Sequence, residues 1–441
     1  MSEIFEFGII GMGPSGIGVA MSLCDACGVQ NIICFERGSY PKEKDCHAFL
    51  QKKCCYSNAC TVISGIGGAS TLSSGKLSDF PAGSGLLDFF DSEQQLKEML
   101  GEMLSFISNE IDLKKVNIDE NAKKQAELYY AQRHIAYKYY DVYEFDGRSY
   151  RQFITKTIEG LSNKGLRILD NSEVIDVNRD PDTLYFRVKV KNNAGEKNFL
   201  IRNLILATGA LDIPNRLAEK MFGSVKSCYE IGVRIEAPTE AFGTTLSTHG
   251  DLKLKCGFGR TYCVTINGRI ISYQSDGVCF LEGCAEPTES TNYTNLAVLV
   301  KCNDTREIHD FITRYRKKFR GLPIKQQLID YINEQASRNT TNTTLVSAAY
   351  GDINKLFSTS INNSIKSFIY NVLIDTMGIP KEKIVVVAPE LKIIRNLKLE
   401  NNFSLDRNLF VVGAATGKFR GILQSFCSGV RCGRLLAGGK R

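Results

Sequence analysis

A glycine-rich turn between a short apolar run and a helical pattern constrains the fold of this chain most strongly. The apolar residues Ile4 to Ile10 predict a strand, and small and apolar residues at helical spacing through Ala26 predict a helix. The turn between them, Gly11-Met12-Gly13-Pro14-Ser15-Gly16, has the spacing G-x-G-x-x-G. A second strand at Ile32–Phe35 completes a β-α-β unit, which predicts a parallel sheet covered by helices.

Each glycine of this turn has a physical role in binding a dinucleotide. One permits the tight turn, one lets the backbone approach a pyrophosphate, and one allows the helix to pack closely on the strand. The helix N-terminus at Pro14 and Ser15 then offers unpaired N–H groups and partial positive charge to the phosphates. Glu36 ends the second strand, where its carboxylate can accept hydrogen bonds from a ribose diol. These features predict a dinucleotide site that extends to Arg37.

The C-terminal segment favours FAD over NAD as the dinucleotide. Residues 408–413 read as a strand that ends in a glycine turn, and a helix is predicted from Ile422 to Leu436. The N-terminus of such a helix can face the pyrimidine edge of a flavin and stabilise negative charge on the reduced ring. The strand predicted at 199–206 also ends in a glycine turn, within residues 205–210. The cofactor contacts predicted from these two segments are Thr208, Gly209, Gly413, Ala414, Gly417, Arg420, Gly421 and Ile422.

The remaining sequence divides into a mixed region, a β-rich region and a mostly helical region. The hydrophobic pattern predicts helices at 92–111, 120–140 and 149–164, and strands at 166–169, 184–191, 199–206, 384–388 and 409–412. Residues 229–300 are β-rich with many turns, and residues 304–377 are mostly helical. The pattern therefore predicts a protein with both α and β structure and more than one domain.

Composition is that of a folded, soluble protein. Hydrophobic residues make up 43% and charged residues 23%, and no apolar run reaches the roughly 18 to 20 residues of a membrane span. The first residues carry glutamates where a signal peptide carries lysines, so we expect a cytoplasmic protein without membrane contact. The 15 cysteines then read as thiols, ligands or redox groups. The basic run 314–320 is interpreted as a solvated helix face, so nucleic acid is not favoured as a partner.

Short motifs along nearly the whole chain occur in the order of one known family. They are the N-terminal glycine turn with Glu36-Arg37-Gly38, the stretches 64–69 and 74–77, Arg133-His134-Ile135, and the stretches 231–236, 388–392 and 420–425. Together they resemble an uncharacterised family of prokaryotic FAD-dependent dehydrogenases. The resemblance implies an α/β fold, with a Rossmann-like FAD-binding domain of the glutathione-reductase-like type and an inserted α+β substrate domain. It implies FAD-binding segments at 1–90, 148–227 and 384–441, a helical insertion at 91–147 and a substrate domain at 228–383.

The resemblance also implies where the flavin ring lies. The loop 65–77, which includes Gly67, Gly68 and Ala69, should lie near the isoalloxazine, with Lys76 close to its N1/O2 edge. One position departs from related flavoproteins, which usually carry an acidic residue just after the glycine of the C-terminal strand. This chain has Ala414 there, so a hydrogen bond to the cofactor is missing or is supplied by Thr416.

The expected function is that of an FAD-dependent oxidoreductase. A small organic substrate would exchange a hydride with flavin N5, and NAD(P)H is a candidate electron donor. Arg133 and His134 lie in a stretch that the resemblance covers, and such a pair can orient an anionic substrate and move its proton. Together with Lys76 they are the predicted catalytic residues.

Two alternatives stay open at this point. Cys55 and Cys60 have the C-x4-C spacing of a redox pair in disulfide reductases, but the second dinucleotide-binding unit of those enzymes is missing. A zinc or iron–sulfur site at Cys46, Cys54, Cys55 and Cys60 would lack a ligand at Ser57, so reduced thiols are favoured and no metal is predicted. The other alternative is a flavin-holding scaffold, or an RNA- or protein-binding module without turnover.

Overall fold

The fold is a mixed α/β arrangement of two large sheets. The computed structural model describes residues 3–41, 46, 54, 59–72, 75–210, 220–221, 227–257, 259–285, 290–337, 342–395 and 397–438. Over these ranges there are two eight-stranded sheets, one three-stranded sheet and one separate hairpin. Across the same ranges, no helix has both the length and the apolar composition that crossing a bilayer requires.

The strands and helices follow one another as the sequence pattern predicts in most places. The strands are β1 Glu3–Ile10, β2 Ile32–Phe35, β3 Lys76–Ser78, β4 Lys114–Lys115, β5 Ala136–Lys138, β6 Val142–Glu144, β7 Arg167–Leu169, β8 Glu173–Arg179, β9 Phe186–Asn192, β10 Gly195–Leu206, β11 Ser227–Pro238, β12 Lys253–Cys256, β13 Gly259–Thr265, β14 Arg269–Ser275, β15 Val278–Cys284, β16 Tyr293–Cys302, β17 Ile324–Gln327, β18 Ala349–Tyr350, β19 Val385–Arg395, β20 Ser404–Asp406 and β21 Leu409–Val411. The helices are α1 Pro14–Cys27, α2 Glu93–Ser108, α3 Glu120–Ala131, α4 Gly147–Asn163, α5 Thr305–Phe319, α6 Leu328–Ile332, α7 Thr359–Phe368 and α8 Ile422–Leu436.

The first sheet has the parallel centre that the β-α-β unit predicts. Its parallel strands lie in the order β7-β2-β1-β10-β21, and the β8–β9 hairpin and β20 add antiparallel pairs. β2 and the second half of β1, from Phe7 to Ile10, are buried, because helices or other strands cover both faces of the sheet there. The predicted strands at 32–35 and 199–206 and the predicted C-terminal helix are confirmed.

The second sheet is mostly antiparallel and has one apolar and one polar face. Its order is β18-β17-β19-β11-β16-β13-β12-β5. Along β11, Ile231, Val233 and Ile235 join the apolar core, whereas the alternating Glu230 and Arg234 are buried on the other side. The implied boundary at 384 assigns β19 to the FAD-binding segments, but β19 pairs with β11 and β17 in this second sheet. The inserted domain and the other boundaries stay a prediction.

One predicted helix is too long. The helix expected over 120–140 ends at Ala131, and β5 begins at Ala136 and pairs with β12. Tyr137 packs its ring on Tyr130 with centroids 5.6 Å apart and donates a hydrogen bond to the carbonyl of Thr248. These contacts with distant residues outweigh the local helical pattern.

Helices α1 and α8 pack closely through glycines. A Cβ atom added to Gly429 would lie 2.0 Å from the carbonyl oxygen of Ser15, and one added to Gly433 would lie 2.6 Å from Cβ of Ser22. Ser15 of α1 contacts Gly429 of α8, and Ser22, further along α1, contacts Gly433, further along α8. The two helices therefore run in the same direction. Their N-termini therefore lie at the same edge of the first sheet.

We predict that the substitution Gly429→Ala lowers the free energy of unfolding by about 1 to 3 kcal/mol, because the new methyl group overlaps backbone atoms of α1. The control Gly101→Ala, on the exposed face of α2 with no atom within 4 Å, should raise it by about 0.5 to 1 kcal/mol. Urea denaturation of the three proteins measures both changes. Equal stability of G429A and the parent chain would contradict the close contact.

Candidate functional site

A cavity of about 870 Å³ lies between the carboxyl ends of the parallel strands and the polar face of the second sheet. Residues within three positions after the ends of β1, β2, β7, β10 and β21 line one end of it. This is the edge at which open α/β sheets bind ligands. The predicted site residues in its lining are Gly11, Gly13, Pro14, Ser15, Glu36, Arg37, Gly68, Ala69, Lys76, Thr208, Gly209, Ala414, Gly417, Arg420, Gly421 and Ile422.

Three predicted glycines shape this lining without being part of it. A Cβ atom on Gly16 would lie 2.0 Å from the carbonyl oxygen of Gly11, and one on Gly413 would lie 2.5 Å from Oγ of Ser15. One on Gly67 would lie 2.5 Å from Cγ2 of Thr71. These glycines allow close approach between segments, and the groups beside them face the cavity.

The catalytic pair predicted from the sequence lies elsewhere. Arg133 and His134 are exposed and are absent from the cavity lining. The Arg133 guanidinium stacks 3.7 Å from the ring centroid of Tyr129 and donates a hydrogen bond to its carbonyl oxygen. Neither side chain therefore reaches a ligand held in the cavity.

The first glycine turn combines two required close contacts with one open face. Gly11 has a φ of 95°, and a Cβ there would lie 2.5 Å from the carbonyl oxygen of Ala207. A Cβ on Gly13, by contrast, would meet only the Cα of Gly68, at 3.8 Å. The fold therefore requires glycine at the first and third positions, whereas the middle position leaves space that belongs to the cavity.

The N-termini of α1 and α8 both open into this space. Gly13 precedes α1 and Gly421 precedes α8, and neither helix has a side-chain cap. Ser15, Ile422 and Ser425 line the cavity beside these ends. Uncapped N-termini present N–H groups and partial positive charge, which suit phosphate groups or a developing negative charge.

Glu36 joins three backbone segments at the edge of the cavity. Its carboxylate accepts hydrogen bonds from the N–H groups of Met12, Gly38 and Gly65, at 2.9, 3.0 and 2.8 Å. A carboxylate has about four acceptor positions, so one is available to a ligand. The contact of Glu36 with a ribose stays a prediction. The sequence did not indicate that Glu36 also holds the first glycine turn, at Met12, and the loop at Gly65.

Thr416 does not take the place of the missing acidic residue. Its hydroxyl donates to the carbonyl of Gly413 at 2.8 Å and accepts from the N–H of Lys418 at 3.2 Å. It is fully buried and does not line the cavity. The cavity surface at this position is the Ala414 methyl group.

The other end of the cavity is lined by charged groups, of which the sequence analysis named Lys76 and Arg420. Lys76 and Lys253 both contact the carboxylate of Asp251, at 3.3 and 3.1 Å, and Tyr140 donates a hydrogen bond to it at 2.6 Å. Burial alone would raise the pKa of Asp251, but Lys253 and Lys76 hold it well below its usual range. Burial lowers the pKa of Lys253. Asp251 is thus a fixed anion between two ammonium groups.

A second set of charged residues comes from β11, β13, β15 and β19. Arg260 forms a bidentate ion pair with Glu230, and Lys392 contacts Glu282 at 2.8 Å. Although burial raises the pKa of Glu282, Lys392 and Arg234 lower it to about 2. The alternation of charged and apolar residues in 230–236 and 251–255 is the sequence signal that marks this polar face.

His249 lies behind Asp251 as a buried neutral ring. Its Nδ1 accepts a hydrogen bond from the N–H of Asp251 at 2.9 Å, and its Nε2 lies 3.0 Å from the carbonyl oxygen of Lys138. Both contacts are satisfied when Nε2 carries the proton and Nδ1 carries none. Burial lowers the pKa of His249 to about 4.

The cysteines considered for a metal or a redox pair give no such site among the described residues. Cys46, Cys54 and Cys60 form no disulfide among the described residues, and Cys55 lies outside those residues. Burial raises the pKa of Cys60, whose sulfur accepts a hydrogen bond from the N–H of Gln274. In the described ranges no group of three or more histidine, cysteine or acidic residues is arranged to hold a metal. The redox pair of Cys55 and Cys60 stays an untested alternative, because Cys55 lies outside the described residues.

Comparison with known proteins gives distant similarities only. No protein-family model and no curated protein matches the chain. A geranylgeranyl bacteriochlorophyll reductase-like structure from Thermoplasma acidophilum is 11% identical, with a TM-score of 0.40 over 99% of this chain and 78% of that one. Glycine oxidase from Geobacillus kaustophilus is 12% identical, with a TM-score of 0.41, and the match covers 100% of this chain and 96% of the oxidase. A flavoprotein/dehydrogenase from Cytophaga hutchinsonii is 9% identical, with a TM-score of 0.39, and the match covers 98% of this chain and 78% of that protein. These values carry no conclusion about activity.

We predict that His249 makes folding sensitive to mild acid. The unfolded chain takes up this proton near pH 6.5 and the folded chain only near pH 4, so the free energy of unfolding rises with pH between these values. The contribution between about pH 5 and pH 7 is about 2 kcal/mol. Urea denaturation across this range should show a smaller slope for His249→Gln, whereas His309→Gln, at an exposed position, keeps the slope of the parent chain. Equal slopes for the two variants would refute the prediction.

Proposed function

We propose that this protein is an FAD-dependent oxidoreductase whose substrate binds at the charged end of the cavity. The observation that carries the proposal is the joining of two uncapped helix N-termini and the open face of Gly13 in one cavity. A dinucleotide needs such a surface, because its pyrophosphate approaches the backbone more closely than a side chain would allow. The family resemblance of the sequence motifs points to the same cofactor.

The residues at this end of the cavity fit FAD in their chemistry. Glu36 retains acceptor capacity for a ribose diol, and the first turn of α1 from Ser15 onward can bind the pyrophosphate. The start of α8 at Ile422 and the ammonium group of Lys76 would face the flavin ring. The cavity volume lies within the usual range for cofactor sites, roughly 300 to 1,000 Å³.

Bound FAD would supply hydride transfer at its N5 atom. The chain contributes binding, orientation and electrostatics. The start of α8 and Lys76 provide positive charge for a reduced ring, and the polar face of the second sheet orients the substrate. The second sheet also forms the wall of the cavity opposite the glycine turns. The exposed pair Arg133 and His134 takes no part.

The absorption spectrum of the purified protein tests the cofactor. We expect oxidised flavin bands near about 370 and 450 nm. The sequence has a single G-x-G-x-x-G turn in a strand-to-helix setting, so NAD(P)H would act at the flavin face, and anaerobic NADPH should bleach the bands. A flavin spectrum without bleaching would remove NADPH as the donor. A colourless protein that cannot be reconstituted with FAD would overturn the proposal and favour the scaffold alternative.

We further predict that Gly13→Ala separates folding from cofactor binding. The added methyl group has an ordinary contact in the fold, so the free energy of unfolding of the FAD-free protein should change by no more than about 1 kcal/mol. The same methyl group projects into the space required by the pyrophosphate, so FAD affinity should fall at least about tenfold, or about 1.4 kcal/mol.

Fluorescence titration of the FAD-free protein with FAD measures this affinity. Gly160→Ala, on α4 with no atom within 4 Å, is the matched control and should bind FAD as the parent chain does. A Gly13→Ala variant with unchanged FAD affinity would show that the pyrophosphate does not lie at this turn.

A further inference from the structure

The charged end of the cavity has an uneven balance of charge. Its lining contains more basic than acidic side chains among the described residues: Lys76, Lys253, Arg260, Lys392 and Arg420, against Glu230, Asp251 and Glu282. Asp251 is shared by two of these cations, and Arg420 adds to the positive charge near Glu230 and Arg260. Arg234 and Glu390, which pair behind the lining, are both fully buried and leave this balance unchanged. An anion in this space would balance the charge.

Tyr262 is at the centre of this excess positive charge. The Nζ atom of Lys253 lies 4.7 Å from its ring centroid, the guanidinium carbon of Arg260 4.8 Å, and Nζ of Lys392 5.6 Å. These three cations come from three strands, β12, β13 and β19, so the arrangement depends on the tertiary fold. All three side chains also line the cavity.

The Tyr262 hydroxyl is a hydrogen-bond donor suited to a ligand. Tyr262 lines the cavity, and within the described part of the chain its hydroxyl has no hydrogen-bond partner. Burial raises its pKa to about 12, so the phenol keeps its proton at neutral pH. The phenol, the ammonium groups and the guanidinium group are all hydrogen-bond donors. The nearby anions are the carboxylates that pair with these cations. Such a set of donors suits a carboxylate, which only accepts hydrogen bonds.

The walls beside Tyr262 suit a carbon skeleton. Tyr273 and Ile394 line the same part of the cavity, and Lys392 lies 5.8 Å from the ring centroid of Tyr273. Apolar and aromatic surface next to a cluster of donors is typical of sites for small organic molecules. Inorganic phosphate would leave this apolar surface exposed to water.

We infer that the substrate is a small organic acid whose carboxylate binds between Lys253, Arg260 and the Tyr262 hydroxyl. This inference rests on the proposed function, since it names the substrate class of the same cavity. It assigns Lys253 and Tyr262 a role in substrate binding, and it leaves hydride transfer to the cofactor end.

Calorimetric titration of the purified full-length protein tests this inference with three probes. Benzoate carries the carboxylate, benzamide has nearly the same shape without the charge, and inorganic phosphate has the charge without the carbon skeleton. We expect benzoate to bind at least about tenfold more tightly than either of the others, a ratio that corresponds to about 1.4 kcal/mol. Equal binding of benzoate and benzamide, tighter binding of phosphate, or no binding of any probe would overturn the inference.

Two variants identify the site of binding. Lys253→Met keeps a long side chain without charge, and Asp251 retains Lys76, Tyr140 and the N–H of Val264 as partners. Tyr262→Phe removes a single hydroxyl group. Both should weaken benzoate binding, by about tenfold for K253M, and K253M should weaken benzoate binding more than benzamide binding. Lys301→Met, at an exposed position on β16 outside the cavity lining, is the control and should bind benzoate as the parent chain does.

The flavin content of the same samples separates the two proposals. A protein that holds FAD and shows no preference for benzoate contradicts the organic-acid substrate alone. A protein that cannot hold FAD contradicts the proposed function, and benzoate binding that depends on Lys253 would still support the anion site. Benzoate binding that is unchanged in both K253M and Y262F would overturn the assignment of this site.

Discussion

The cavity depends on the close packing of helices α1 and α8. Glycines at their interface remove the side chains that would hold the two backbones apart, and a Cβ on Gly429 would overlap the carbonyl oxygen of Ser15. Since the helices run in the same direction, their uncapped N-termini meet at one edge of the parallel sheet. The two ends of the chain thus form a single positively polarised surface, because a helix N-terminus carries partial positive charge. The proposed dinucleotide site depends on this contact.

The polar face of the second sheet brings charged side chains into the protein interior, where they form ion pairs. Arg234 and Glu390 are fully buried and are joined by two hydrogen bonds, at 2.8 and 3.2 Å. Removing one partner from such a pair leaves a buried charge without compensation, which is strongly destabilising. The network extends through Glu282 and Lys392 to the cavity. The interior therefore supports the positions of the charged groups that face a substrate.

Prediction from the sequence succeeded best where a local pattern and its chemistry coincide. The first β-α-β unit and the C-terminal strand and helix form as expected, because the glycine turns and apolar periodicity act within short segments. The helix predicted over 120–140 was too long, because the pairing of β5 with β12 outweighs local preference. Arg133 and His134 were chosen from a motif and lie on the surface. Thr416 was considered as a ligand group, but its hydroxyl is occupied within its own turn.

The sequence by itself determined the parallel β-α-β unit and the glycine turn proposed to bind a dinucleotide. These depend on steric requirements that only glycine meets and on the charge at the start of a helix, both of which are local. Only the tertiary structure decided which distant groups share the cavity. Lys76, Asp251 and Lys253 meet there, and Tyr262 is surrounded by cations from three strands. Strand pairing between segments far apart in the chain sets these distances, and no spacing along the sequence encodes them.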